Sequence, residues 1–331
     1  MKKSYALCWI LSGVFVISIL LLMCPFQETE DILVDQKPTV TTPVAPTSGQ
    51  SGDELSQHYT VYVRMNDKQV APMDLEAYIT SVVLREMPAE FETEALKAQA
   101  VVARTYTYRR MLRGRKHKDA DVCTQSSCCQ GYWEIADYLR AGGTEKKLEK
   151  VRKAVADTKG IILLYDGDPI EATYFSCSGG YTEDAVVVWG SDVPYLKATE
   201  SPGEEHATHY TDTIQLSVTA LADKLGLKLN DKTDFRLGKI RYTAGGGVDT
   251  IDICGKSFTG TQIRNKLSLK STSFVITCTG TTVTITTKGF GHRVGMSQYG
   301  ADAMALSGKN YRQILLHYYA GVEISAIDAI C

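Results

Sequence analysis

A run of nineteen residues, 5–23, carries no charged side chain, and it limits what the rest of the chain can be. At about 1.5 Å rise per residue, a helix of that length nearly spans a hydrocarbon core about 30 Å thick. Lys2 and Lys3 precede the run, and Glu28, Glu30 and Asp31 follow it. Positive charge on the N-terminal side places residues 1–4 in the cytoplasm and the rest of the chain outside. A cleaved signal peptide is the competing reading, although no small-x-small site follows immediately and the run is long for a signal core. The expected organisation is a cytoplasmic N-terminus (1–4), a single transmembrane anchor (5–25), a linker (26–57) and a folded part (58–331). The linker is rich in Pro, Thr, Ser, Gln and Gly, the composition of a flexible tether.

With 44% hydrophobic and 22% charged residues, the chain is globular in composition rather than disordered. Its formal net charge of −2 gives no reason to invoke nucleic acid, and it has no phosphate-loop or dinucleotide fingerprint. Nine cysteines in 331 residues do not make a disulfide scaffold. Cys177, Cys254, Cys278 and Cys331 are scattered and read as small buried hydrophobes, with a Cys254–Cys278 bridge left open.

Leu75, Ile79 and Val82 recur at the spacing of one helical face, behind a capping residue, Asp74. Glu86 falls on that apolar stripe, and Pro88 disfavours helix at Met87, so the helix should end there. A carboxylate on an apolar face at the negative end of a helix has two reasons for a raised pKa, and a carboxyl group still protonated near neutral pH can serve as a general acid. A surface glutamate at a frayed end is the plain alternative. A second helix is expected over 94–112, with a seam of small side chains at Ala95, Ala98, Val102 and Thr105. Lys97 and Arg104 lie seven residues apart on one of its faces and either face Glu86 or face solvent. As a simple ion pair they would lower the pKa of Glu86 and spoil it as an acid. Further helices are expected over 145–158, 297–307 and 311–319. A hairpin should turn at Asp166-Gly167, joining 160–165 to 169–176. A strand passing into a helix is expected over 212–227, and β structure over 241–254, 273–278 and 281–287. Irregular alternation with hairpin signals predicts the α+β class, as a single globular domain.

Three more clusters could carry chemistry. His117, Cys123, Cys128 and Cys129 put four soft ligands in a polar loop, enough for a closed, structural zinc site. Their spacing is not that of a zinc finger, neighbouring side chains such as Cys128 and Cys129 should diverge, and a disulfide competes outside the cytoplasm. Tyr174 to Thr182 ends a strand in a Gly-Gly turn, where the hydroxyls of Ser176 and Ser178 beside an approachable backbone would suit a sugar; a tight structural turn is the alternative. Gly289 to Ala301 is a glycine-rich loop entering a helix, which would expose backbone N–H groups to a ligand, with His292 and Gln298 lining the site.

These motifs resemble the stage II sporulation protein D family. The resemblance rests on Glu86-Met87-Pro88-Ala89, Glu94 to Ala100, Ala103 to Tyr106, Ser176 to Tyr181, Val188-Trp189-Gly190, Pro194-Tyr195-Leu196 and Gly289 to Ala301. It implies a lytic transglycosylase acting on peptidoglycan glycan strands stripped of stem peptides, during engulfment in endospore formers. It implies Glu86 as the catalytic acid, with Lys97, Arg104, Tyr174 and Ser176 tied to activity. A sporulation amidase and a membrane protein of the engulfment complex are the implied partners, and the engulfing membrane of the mother cell the implied location. Some members bind zinc through a loop ending in a His-Cys pair, where this chain has Cys128-Cys129. A non-catalytic wall-binding activator of an amidase and a plain hydrolase remain the alternatives.

Overall fold

The computed structural model describes residues 59–329. The expected anchor and linker lie outside the described residues, among which no helix is long and apolar enough to cross a membrane.

The described part is α+β with irregular alternation. Strand Thr60–Arg64 pairs antiparallel with Val70–Asp74, and its end pairs in parallel with Val122–Cys123. Helix α1 (Leu75–Glu86) follows, capped as its sequence requires: the Asp74 side chain accepts from the Ala77 amide at 3.0 Å. It stops where Pro88 dictates, with Met87 extended at φ −129°, ψ 136°. Helix α2 (Thr93–Arg113) is buried along most of Ala95 to Tyr108. The small side chains of Ala95, Ala98 and Ala103 let its neighbours close in. These are α1, α4 (Glu145–Ala156), α8 (Gln298–Leu306), α9 (Tyr311–Tyr318) and strand Ile161–Tyr165. Each large aliphatic side chain fully buried in this first core contributes about 1.5–3 kcal/mol.

A second core lies between two three-stranded antiparallel sheets and two helices. One sheet is Leu237–Tyr242, Val248–Ile253 and Lys256–Thr259; the other is Phe274–Thr279, Thr282–Lys288 and Thr211–Ser217. The helices are α6 (Val218–Leu225) and α7 (Gly260–Leu267), and Leu221, Ile251, Ile263 and Val283 meet between them. Two short helices, α3 (Ile135–Arg140) and α5 (Ala185–Trp189), were not marked by any periodicity. Helix α7 was also missed, although Thr259 and Gln262 form the reciprocal capping box that announces it.

One difference from expectation shapes the site. The turn at Asp166-Gly167 forms, with φ of 50° and 78°, but the hairpin ladder runs only through Asp168–Pro169. One further ladder bond follows, from the Ile170 amide to the Leu163 carbonyl at 3.1 Å, before the strand ends. Tyr174–Phe175 pairs instead, in parallel, with Met296–Ser297. Two segments that each looked chemically suggestive are thereby locked side by side.

Candidate active site

Five chain segments converge on a cleft of about 510 Å³, with Tyr106 reaching it from α2. The end of α1 contributes Glu86, and the loop after α2 contributes Ser126, Cys129 and Gln130. Residues 172–176 supply Tyr174 and Ser176, and the glycine-rich segment supplies Phe290, Gly291, His292 and Gln298. Glu86, Tyr174, Ser176, His292 and Gln298, scattered over more than two hundred positions, thus line one space.

Backbone contacts fix this arrangement. The Gln298 side-chain amide donates to the Glu86 carbonyl at 2.9 Å, joining the C-terminus of α1 to the first residue of α8. The Tyr299 amide donates to the Ser176 carbonyl at 3.0 Å. Gly295, at φ +83°, lies so close to the Thr173 carbonyl that a Cβ there would collide with it. Gly131 has no room for a side chain either: an added Cβ would stand 2.8 Å from Glu86 Oε1 and 2.7 Å from Arg85 Cγ. That space is closed because the Gly131 amide donates directly to Glu86 Oε1.

Burial pushes the Glu86 carboxyl above its ordinary range. The Gly131 amide, the Arg85 charge and a hydrogen bond from Tyr174 pull it partly back. Arg85 itself lies over the Trp133 ring, 5.2 Å from its centroid. The single Tyr174 O–H lies between two acceptors, Gln130 Oε1 at 3.3 Å and the Glu86 carboxyl, and serves one at a time; burial together with the Glu86 charge holds its phenol well above the usual range, so it remains an O–H donor. His292 is pushed down to about 4 by burial and by Arg264, so it is neutral near pH 7; its Nδ1 accepts from the Val294 amide at 3.1 Å. Glu86 is the only carboxyl group among the described residues that line the cleft.

The SpoIID family model, a stage II sporulation protein, matches residues 64–165, which hold Glu86 and its surroundings. The chain is 39% identical over 332 residues to stage II sporulation protein D of Bacillus amyloliquefaciens, across 97% of this chain and 96% of that protein. It is 40% identical over 317 residues to the protein of the same name from Bacillus subtilis (strain 168), across 93% and 92% of the two chains. The chain belongs to the stage II sporulation protein D family. The amidase enhancer of Bacillus subtilis (strain 168) shares the similarity at 30% identity over 302 residues, 75% of this chain and 40% of the enhancer.

Three residues expected at the substrate of this family member lie elsewhere. Arg104 is 0% exposed and grips Glu76 of α1 with two bonds, Nε to Oε1 at 2.8 Å and Nη2 to Oε2 at 2.6 Å. It also donates to the carbonyls of Ile161 and Val155. Lys97 pairs with Glu94 at 2.9 Å and with Asp157 at 3.3 Å. Neither cation lines the cleft or is among the groups that act on Glu86. Their shared face is real, but acids from α1, α2 and the end of α4 occupy it. Ser178 is also buried and donates to Glu204 Oε2 at 2.8 Å, beside the amides of Ser178 and Gly179 at 2.7 and 3.0 Å; its hydroxyl organises the turn instead of meeting a sugar.

The glycine-rich segment also departs from expectation. Its amides are bonded internally: Gly289 to Tyr210, Phe290 to Cys177, Gly291 to Lys270 and Met296 to Thr173. These four amides are therefore not offered to a ligand. Arg293, buried at φ +67°, anchors the segment through Glu183 Oε1 at 3.2 Å and the carbonyls of Ser178, Tyr181 and Gly245.

The ligand atoms of His117, Cys123, Cys128 and Cys129 all lie within 4.8 Å of one another. The three thiols are free, as are Cys254 and Cys278, so neither considered disulfide is present. Cys128 and Cys129 do not diverge. Both amides donate to the Gln125 carbonyl, at 3.0 and 2.8 Å, and the tight turn brings both sulfurs within 3.7 Å of His117 Nε2. A tetrahedral zinc with bonds of about 2.0–2.3 Å needs ligand separations of about 3.5–3.8 Å, which this set meets with small adjustments. Residues that sequence reasoning missed are Tyr106, Gln130, Thr173 and Phe290. Phe290 had a signal in its glycine-rich context, and Tyr106 in the motif Ala103 to Tyr106.

Proposed function

We propose that this family member is a lytic transglycosylase that cleaves the bond from N-acetylmuramic acid to N-acetylglucosamine in peptidoglycan strands lacking stem peptides, leaving 1,6-anhydro ends. The observation that carries the reading is the lone carboxyl group of the cleft, with its raised pKa. Glu86, protonated, donates to the glycosidic oxygen. As a carboxylate, steadied by the Gly131 N–H and the Tyr174 O–H, it takes the proton of the sugar's own 6-hydroxyl, which closes onto the anomeric carbon. Glycosidases that use water place a second carboxylate about 5–9.5 Å away, and the cleft lining supplies none among the described residues. Mass spectrometry of a digest of stripped strands tests this. New ends lighter by one water than reducing ends are expected; reducing ends would make the protein a hydrolase.

In this reading the apolar run 5–23 anchors the enzyme in the engulfing membrane, with the catalytic part on the outer side. A sporulation amidase and a membrane protein of the engulfment complex are its partners, and kinship with the amidase enhancer supports a setting where stem peptides are removed. A structural zinc held by His117, Cys123, Cys128 and Cys129 would pin the loop that carries Cys129, Gln130 and Gly131 to the cleft. Protein purified without chelator is expected to hold one equivalent of zinc and His117→Ala protein far less, with a lower melting temperature. Metal-free protein of unchanged stability would rule the zinc out.

A further inference from the structure

One wall of the cleft is formed by Phe290, Gly291 and His292. Two cations from the second core stand against it. Lys270 places Nζ 5.2 Å from the centroid of the Phe290 ring, and its carbonyl accepts from the Gly291 amide at 3.1 Å, so its backbone is fixed to the cleft wall. Arg264, on α7, is half-buried; its charge lowers the His292 pKa, and its side chain's one hydrogen bond among the described residues runs from Nε to the Leu269 carbonyl at 3.4 Å. Neither has a carboxylate partner among the described residues, in contrast to Lys97, Arg104, Arg109 and Arg110, each of which has one. A half-buried cation without an anion is poorly compensated. Neither Lys270 nor Arg264 is itself among the lining residues, but each stands against residues that are, Lys270 against Phe290 and Gly291 and Arg264 against His292. Two uncompensated cations behind one wall of a sugar-sized cleft suit an anionic substituent of the strand.

We propose that Arg264 and Lys270 bind the lactyl carboxylate of muramic acid in the strand held by the cleft. The inference rests on the glycan-cleaving reading of Glu86 and adds the group on the strand that is read. In a stripped strand every muramic acid bears this free carboxylate. In a strand that keeps its stem peptides the same carbon is an amide and carries no charge. A guanidinium beside an ammonium therefore separates the two kinds of strand by charge alone, the guanidinium adding a bidentate fit. The arrangement also gives the second core a task, since α7 carries Arg264 and the segment after it carries Lys270.

The test measures binding, with full-length Glu86→Gln protein as parent so that strands are not digested. Three probes are used: stripped glycan strands, the same strands with carboxylates converted to amides by carbodiimide, and peptide-bearing strands. The parent is expected to hold stripped strands about tenfold more tightly than amidated ones, the difference expected of a charge-assisted contact. Arg264→Gln/Lys270→Gln protein should lose that preference while binding amidated strands as the parent does, which also shows it is folded. A parent that binds stripped and amidated strands equally would overturn the inference, as would a double variant that keeps the preference. Peptide-bearing strands that bind as tightly as stripped ones, and weaken equally in the double variant, would assign the charge to peptide carboxylates and overturn it too. The Glu86 reading stands or falls separately, on the product ends formed by wild-type protein.

Discussion

Glu86→Gln protein is expected to release no anhydro-muramic ends from stripped strands, with a loss in kcat on the order of 10³-fold, while still binding those strands. Glutamine keeps the shape and can still accept from the Gly131 amide, so the loss isolates the proton. The same substitution should raise stability, in a pH-dependent way. Burial lifts the Glu86 carboxyl above its ordinary value of 4.5. Between that value and the raised one, the folded chain keeps a proton that the unfolded chain has released. Stability from this residue is therefore fully present below 4.5 and is lost as pH rises through the folded pKa. Glutamine has no such loss. Melting temperatures of the two proteins should separate as pH increases from 4.5 and run parallel above the folded pKa of Glu86. A glutamine variant that melts below wild type at neutral pH would mean that burial does not penalise the carboxylate. Activity should follow the same group: kcat/KM for wild type is expected to fall as pH rises through the Glu86 pKa, because the first step needs the acid form.

Arg104→Ala should cost about 3 kcal/mol of folding stability and leave glycan affinity unchanged wherever the variant remains folded. The fully buried guanidinium ties α2 to Glu76 of α1 and to two carbonyls beyond it. Its removal strands a partly buried carboxylate and leaves a void. Urea unfolding should show a lower midpoint with the same slope. Wild-type stability with weakened strand binding would restore Arg104 to the substrate. This distinction matters for any variant scored only by activity, since an unfolded enzyme and a blind one look alike in that assay.

Local chemistry made the helix that carries Glu86 readable. The stripe of Leu75, Ile79 and Val82, the Asp74 cap and Pro88 predicted where α1 begins and ends, and the carboxylate on the stripe is the one that lines the cleft. Spacing could not say what stands opposite a face. Lys97 and Arg104 do share one, but the acids that meet it come from positions 76, 94 and 157, brought there by packing. The glycine-rich segment borders the cleft, but amides such as those of Gly289 and Gly291 find the carbonyls of Tyr210 and Lys270, which no local pattern announces. Gln130 escaped notice for the same reason: its importance comes from Tyr174, 44 residues away.

The bond from Gln298 to the Glu86 carbonyl spans 212 residues, and it has a consequence for timing. Ribosomes add about 5–20 residues per second, so the acid is made roughly 10–40 s before the segment that completes its cleft. During that interval α1 and α2 can pack on each other, but Tyr174–Phe175 has no strand beside it. A nascent chain therefore carries its acid without the segment that completes the space around it until residue 298 has been made.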